Sequence, residues 1–390
     1  MCTVAFRLRQ TTPVKIALLH YTAPPITGGV ERVVGEQIRV LRENGHHVSL
    51  ACFEGGDTTS VDAFIPLSRD SGREDFAAYL GLALGGVDCV LIHNIGTMPF
   101  APELTHSLRT LAGLHTNTRW ICWVHDLALG NPDYPATIPC AEQPYSTGCA
   151  DWEYIAVSPL RAREVREQLG VPCKVIPNGI DTTATLQLSA PTAALAESLN
   201  LWDADFVLLN PSRILPRKTL EIGVEVVHAV RSLGCTLKYL ITGATDPHNP
   251  IHAAHAHDLR LLVRNLHLED TVHFVNEHLP VGPRELGNLY QICDAVWLTS
   301  AREGFGLPAL EAGAFGKTVF CPDAEPMNGL PGVVTYPRDI SISNLAAWLL
   351  QQLKGREAIL ARRRILHTYR WQSIYHSHLA PLLEQPPTAP

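Results

Sequence analysis

No apolar run in the 390 residues approaches the roughly 20 that a helix needs to cross a bilayer, so no transmembrane helix is expected. Met1 to Thr12 carries charge but lacks the apolar core of a signal peptide, which makes a cytoplasmic enzyme the default expectation. A basic excess is missing too. The formal net charge of −7 argues against broad, charge-driven binding to nucleic acid. Ten cysteines include no C-x-x-C pair, and Cys89, Cys235 and Cys293 sit inside apolar runs, where a free thiol acts as a small hydrophobe. Cys140 and Cys149 share a loop-like stretch and could bridge, although the lack of a secretion signal argues against it. What is present is an apolar fraction of 46% with 18% charged residues, the balance of a soluble globular protein. The length is too great for one ordinary core and suits two α/β domains.

Two stretches repeat one supersecondary pattern. Lys15 to Tyr21 reads as a buried strand, followed by a Pro/Gly loop through Gly28 and Gly29. A helical pattern runs from Val30 to Asn44, with Val30, Val33, Val34, Ile38 and Leu41 on one face; Gly45 stops it, and His47 to Phe53 is the next strand. Further on, Phe206 to Asn210 is a strand and Pro211 to Lys218 a polar loop. Thr219 to Leu233 is helical with Gly234 as its stop, and Leu237 to Thr242 is the next strand. Each unit is a βαβ, which implies a parallel sheet covered on both faces. Repetition at this long spacing predicts two similar domains and not a solenoid. Between them, the turn Pro177-Asn178-Gly179 leads into a Thr/Ser/Ala-rich stretch, Thr182 to Leu199, which reads as a linker or a mobile helix. Parallel sheets bind ligands at the carboxyl ends of their strands, so two facing domains would place a site in the cleft between them.

The densest signal is Ser300 to Ala312, which contains Glu303-Gly-Phe-Gly-Leu-Pro-Ala-Leu-Glu311 and follows the strand pattern Asp294 to Thr299. Gly304 and Gly306 allow unusual dihedrals and a close approach to a ligand. Pro308 suits the first position of a helix, where its missing N–H is not needed. The free N–H groups near Gly306 and Leu307 would then face a phosphate at the positive end of the helix dipole. Glu303 falls in the loop and Glu311 about one turn into the helix, so one carboxylate can meet a sugar and the other a ribose. The plain alternative is a glycine turn flanked by two surface glutamates.

This segment resembles the E-x7-E motif of retaining GT-B glycosyltransferases, the large family 4-like group (glycosyl transferases group 1). The resemblance extends over nearly the whole chain. It takes in Gly28-Gly-Val-Glu-Arg32, Val124-His-Asp126, Ile176-Pro-Asn-Gly-Ile-Asp181, Arg213 with Lys218, and Tyr369-Arg-Trp-Gln372. It implies an α/β GT-B fold, two Rossmann-like domains with parallel sheets facing across a cleft. Residues 1–187 would be the acceptor-side domain, 188–366 the nucleotide-sugar-binding domain, and 367–390 a helix crossing back to the first. It also implies that Arg213 and Lys218 clamp the donor pyrophosphate, that Glu311 binds the ribose hydroxyls, and that Glu303 meets the donor sugar. Gly304, Phe305, Gly306 and Leu307 belong to the same donor-binding set. Gly28 and Gly29 would close over the phosphates. His125 would touch the donor sugar and, with Arg213, Lys218 and Glu303, form the catalytic set; Asp126 would orient His125 or meet the acceptor. Two fixed cations and a helix N-terminus can offset a diphosphate charge, so no metal and no cofactor besides the nucleotide-sugar substrate is expected. The reaction implied is metal-independent transfer of a hexose of mannose or glucose type from a UDP- or GDP-sugar.

Other signals carry less. Asp203-Ala-Asp205 has the spacing of a metal-binding D-x-D but precedes a strand, and so reads as a solvated turn. His248, His252, His255 and His257 crowd one segment without a recognised ligand spacing and read as a polar loop entering an exposed helix. Arg362-Arg-Arg364 reads as a solvated helix face, with peripheral membrane contact left open. No G-x-G-x-x-G follows either leading strand, which disfavours an NAD-dependent oxidoreductase. A GT-B sugar-nucleotide epimerase and a non-catalytic sugar-binding GT-B subunit remain as rivals. The acceptor, whether carbohydrate, lipid or small molecule, is expected at first-domain loops such as Leu127 to Cys149.

Overall fold

The computed structural model describes residues 12–134, 143–243, 250–300 and 302–385. The chain forms two compact units, Met1–Ile180 with Tyr369–Pro390, and Asp181–Thr368.

In the first unit, strands β1 (Lys15–Leu19), β2 (His47–Cys52), β3 (Ala63–Pro66), β4 (Cys89–His93), β5 (Arg119–Val124), β6 (Glu153–Ala156) and β7 (Cys173–Val175) form one sheet in the order β3-β2-β1-β4-β5-β6-β7. All of its pairings are parallel; Leu18, for instance, lies between Leu50 and Leu91. Alternate residues serve opposite faces, because successive strand side chains point to opposite sides. Ala17 and Leu19 join Val90, Ile92 and Leu108 in one core. Ile16 and Leu18 join Val34 and Ile38 of the helix Gly29–Glu43 in the other.

That second face is completed by the C-terminal segment. Trp371, Ile374, Tyr375 and Leu379 are buried in it, each contributing about 1.5–3 kcal/mol by removal from water. Arg119 anchors the same segment: it is buried, pairs with Glu153 at 2.5 Å and donates to the Leu382 carbonyl.

The second unit repeats the plan. Strands β8 (Phe206–Asn210), β9 (Leu237–Ile241), β10 (Val272–Phe274), β11 (Ala295–Trp297), β12 (Thr318–Pro322) and β13 (Val333–Tyr336) form a parallel sheet in the order β10-β9-β8-β11-β12-β13. Counted within the unit this is 3-2-1-4-5-6, the order of a dinucleotide-type Rossmann sheet. The chain is therefore an α/β protein of two Rossmann-like domains, as the resemblance implies.

Two sequence expectations need correction. Of the two readings of Thr182 to Leu199, a linker or a mobile helix, the structure shows two helices, Thr182–Thr185 and Ala190–Ser198, packed into the second unit. Asp181 caps the helix Thr182–Thr185 by accepting from the Thr183 and Ala184 amides, and Leu188, Leu195, Ala196 and Leu199 are buried in a core of the second unit. Its many small residues concealed an apolar face. Arg362-Arg-Arg364 is not a solvated face. Arg362 bonds to the buried Asp294 at 2.8 Å and to two carbonyls, while Arg363 is buried and donates to the Leu201 and Trp202 carbonyls. Only Arg364 of the three is exposed.

The eight cysteines among the described residues are free thiols, buried Cys149 included; Cys140 lies outside the described residues. His252, His255 and His257 sit on the helix Pro250–Asn265, and His248 is outside the described residues, as is part of the Leu127–Cys149 segment. Among the described residues no helix is long and apolar enough to cross a membrane.

Candidate active site

In the second unit the strand order reverses between β8 and β11, and the crevice beyond their carboxyl ends is where such a sheet binds ligands. The loops leaving these strands carry Arg213 to Lys218 on one side, and Thr299, Ser300 and Arg302 to Gly306 on the other. Reciprocal hydrogen bonds join them: Thr219 Oγ1 donates to the Thr299 carbonyl, and Thr299 Oγ1 donates to the Lys218 carbonyl at 2.9 Å. Lys218 ends a 3-10 turn, Pro216–Lys218, and its Nζ lies 2.5 Å from Glu303 Oε1. The side chains of this pair are only 8% and 10% exposed. Arg217 is a looser neighbour, with Nη1 3.8 Å from Glu303 Oε2 and 3.2 Å from the Arg302 carbonyl.

The structure thus brings Lys218 and Glu303 together, and Arg213 does not join them. Arg213 is exposed and makes no hydrogen bond or ion pair among the described residues. Its backbone is seated against Gly243, at the end of β9, where a Cβ would overlap the Ser212 carbonyl. Gly243 is a positioning residue that the sequence reading missed; its signal was a glycine directly after a strand, which often marks close backbone approach.

Gly306 caps the helix Leu307–Ala314 in the left-handed region, at φ 94°. A Cβ there would also lie 2.5 Å from Met327 Sδ, so glycine is required twice over. The helix opens on Leu307, with Pro308 second where the first place was expected. Gly304 has open space around it, and Phe305 and Leu307 are exposed. Glu311 is exposed, and its Oε2 accepts a 2.8 Å hydrogen bond from Tyr290. The Tyr290 ring stacks on Phe315 at 5.2 Å, which fixes that hydroxyl. Tyr290 lies 21 positions before Glu311 on another helix, and no local pattern announces it.

Asp205 accepts from the Thr236 amide and hydroxyl, both at 2.8 Å, at the amino end of β8. It caps a turn there, away from the strand ends that carry Lys218 and Glu303.

The first unit gathers three histidines where β1, β4 and β5 end. His20 follows β1, His93 ends β4 and His125 follows β5. His20 Nδ1 lies 2.9 Å from the His93 carbonyl, and His93 Nδ1 lies 3.1 Å from His125 Nε2. The His93 and His125 rings stack with centroids 5.4 Å apart. Asn94, left-handed at φ 58°, accepts from the His125 and Asp126 amides through its side chain. Asp126 pairs instead with Arg161 at 3.1 Å and accepts from Asn131, so orientation of the His125 ring falls to His93. Gly28 caps the helix Gly29–Glu43, and the Glu31 carboxylate folds back over it, accepting from Thr22 Oγ1 at 2.5 Å; Gly29 is open.

Burial, then the charge of His20, holds His125 down at about 3, and burial also lowers His20 and His93. All three are neutral imidazoles at neutral pH. Unfolded, each would titrate near 6.5, so as pH falls below that value the unfolded chain binds more protons than the folded one. Stability is therefore fully present above pH 6.5 and declines on acidification, with His125 contributing a limiting slope of about 1.4 kcal/mol per pH unit. Denaturant midpoints taken from pH 7.5 to 5 should show this slope, and His125→Gln should flatten it. A parent protein equally stable at both ends would contradict the burial argument.

The comparisons with known proteins follow the same division. Residues 27–184 match the model of Glycosyltransferase Family 4, and residues 193–334 that of Glycosyl transferases group 1. A D-inositol 3-phosphate glycosyltransferase from Kineococcus radiotolerans is 31% identical over 223 residues, covering 55% of this chain and 47% of the relative. Mannosylglucosylglycerate synthase from Thermotoga maritima is 21% identical over 249 residues, covering 56% of this chain and 57% of the relative. The matched stretches thus span about half the length of these curated relatives. A solved glycosyltransferase from Rickettsia africae superposes over 95% of this chain and 98% of its own, at 16% identity and a TM-score of 0.39, a likeness too loose to add to the rest. With one family matched on each Rossmann-like unit, the chain belongs to the family 4-like, group 1 glycosyltransferases of GT-B type.

Proposed function

We propose that the chain transfers a hexose of glucose or mannose type from a UDP- or GDP-sugar to an acceptor hydroxyl, with retention of anomeric configuration and without a metal. The observation that carries this reading is the buried Lys218–Glu303 pair, held at the carboxyl ends of β8 and β11 beside the glycine-capped start of the helix Leu307–Ala314. A buried cation next to a helix N-terminus suits a diphosphate. A carboxylate held against that cation suits the partial positive charge that develops on a sugar as its leaving group departs.

In this reading Lys218 and Arg213 receive the pyrophosphate, Arg213 from its exposed position and Lys218 by sharing its ammonium with Glu303. Gly304 to Leu307 let the donor approach the backbone, and Glu311, fixed by Tyr290, accepts from the ribose hydroxyls. His125 meets the donor sugar as a neutral hydrogen-bonding imidazole, not as a charged acid. The bond from the anomeric carbon to the diphosphate oxygen breaks, and the acceptor oxygen bonds to that carbon on the same face. The acceptor's proton passes to the departing phosphate oxygen. No protein nucleophile is needed. The acceptor is a carbohydrate, lipid or small molecule bearing a hydroxyl.

The test is release of nucleoside diphosphate from a panel of UDP- and GDP-hexoses in the presence of EDTA. Sustained release is expected. Loss of all activity on chelation, with recovery on adding Mn²⁺, would overturn the metal-free reading.

A further inference from the structure

We infer that His93 is a positioning residue that fixes the tautomer of His125, so that His125 offers an Nδ1–H donor and never an Nε2–H donor. This rests on the proposed role of His125 at the donor sugar, but its geometry lies wholly within the first unit.

A carbonyl only accepts, so at 2.9 Å from the His93 carbonyl His20 must donate from Nδ1. That bond fixes the His93 backbone at the end of β4. Next comes the 3.1 Å contact between His93 Nδ1 and His125 Nε2, in which one nitrogen carries the proton and the other accepts. The far nitrogen of His93 decides which. His93 is wholly buried, and its Nε2 has no hydrogen-bond partner among the described residues. With the proton on Nε2, an N–H donor would be stranded in the interior, the costlier kind of unmet polar group. With the proton on Nδ1, only a lone pair is left unmet. Neutral His93 therefore donates from Nδ1 to His125 Nε2.

His125 must then carry its own proton on Nδ1. Its backbone is held by Asn94 and its ring by the stack on His93, so neither can rotate freely to reverse the choice. Among the described residues His125 Nδ1 makes no hydrogen bond, which leaves that N–H for a ligand oxygen. A sugar hydroxyl or ring oxygen accepts from such a donor. A fixed tautomer selects ligands that present an acceptor at that point over ligands that present only a donor.

The test is nitrogen-15 NMR of histidine-labelled protein, which reads the protonated ring nitrogen directly, on the parent, His93→Phe and His93→Asn. Phe keeps a ring in the stack but has no donor; Asn places an amide N–H near the position of Nδ1. In the parent, His125 is expected with its proton on Nδ1. Asn should keep that state, and Phe should give a mixed or reversed one. Transfer by His93→Phe should fall about tenfold in kcat with nucleoside diphosphate affinity unchanged, and Asn should restore most of it. An Nε2-protonated His125 in the parent, or the same tautomer in parent and Phe variant, would overturn the inference. The tautomer is read without any donor, so a parent that transfers no sugar counts against the proposed function and not against this inference.

Discussion

Lys218→Ala is expected to destabilise the fold and to slow transfer, by two separable routes. Removing one member of a buried ion pair strands the other, which typically costs about 3–5 kcal/mol. Among the described residues Glu303, 10% exposed, would keep only the looser Arg217 at 3.8 Å, so a loss near 3 kcal/mol is expected. The second loss is catalytic. If Lys218 receives the leaving diphosphate as proposed, losing its ammonium should slow transfer by about 2–4 kcal/mol in transition-state terms. Adding Glu303→Gln to the alanine variant separates the two. The double variant carries no stranded charge and should recover most of the stability, while its transfer stays low. Denaturant unfolding reads the first quantity and steady-state kinetics the second. A double variant as unstable as the single one would contradict the stranded-charge account, and one that regains transfer would make the pair purely structural.

What the sequence showed and what it concealed divide along physical lines. Both βαβ units were legible because strands buried on both faces of a parallel sheet read as short unbroken apolar runs, as in Phe206 to Asn210. Their helices ended on glycines, and Gly45 and Gly234 are indeed left-handed in the structure. The positions of Glu303 in a loop and Glu311 within a helix were legible as well, because glycine and proline punctuate the segment locally.

Partners distant in sequence were not legible. Lys218 and Glu303 were each singled out, but they are 85 positions apart and nothing local pairs them. His93 sits in an apolar run, and only its pairing to a neighbouring strand brings its ring to His125. Arg362 and Arg363 looked like surface charges because composition does not reveal a buried carboxylate such as Asp294. Thr182 to Leu199 read as a linker or a mobile helix because its small residues mask an apolar face that only the neighbouring core defines.

The two glutamates should fail differently when replaced. Glu311 is fixed by Tyr290 on the helix and is proposed to hold the ribose, a part common to every nucleotide ligand. Glu311→Ala should therefore weaken nucleoside diphosphate and nucleotide sugar alike, by about 1.5–3 kcal/mol for hydrogen bonds to a charged group. Glu303 is proposed to meet only the sugar. Glu303→Ala frees the Lys218 ammonium for the phosphates, so diphosphate binding should persist or tighten slightly while transfer collapses.

Calorimetric titration of the parent and both variants with UDP, GDP and their glucose and mannose derivatives reads this contrast directly. The parent is expected to bind one nucleotide series. Glu311→Ala should lose affinity for every member of that series, and Glu303→Ala should retain the bare diphosphate without turning over its sugar. A parent that binds neither series, or two variants that bind and transfer as the parent does, would contradict a nucleotide-sugar site in the second unit.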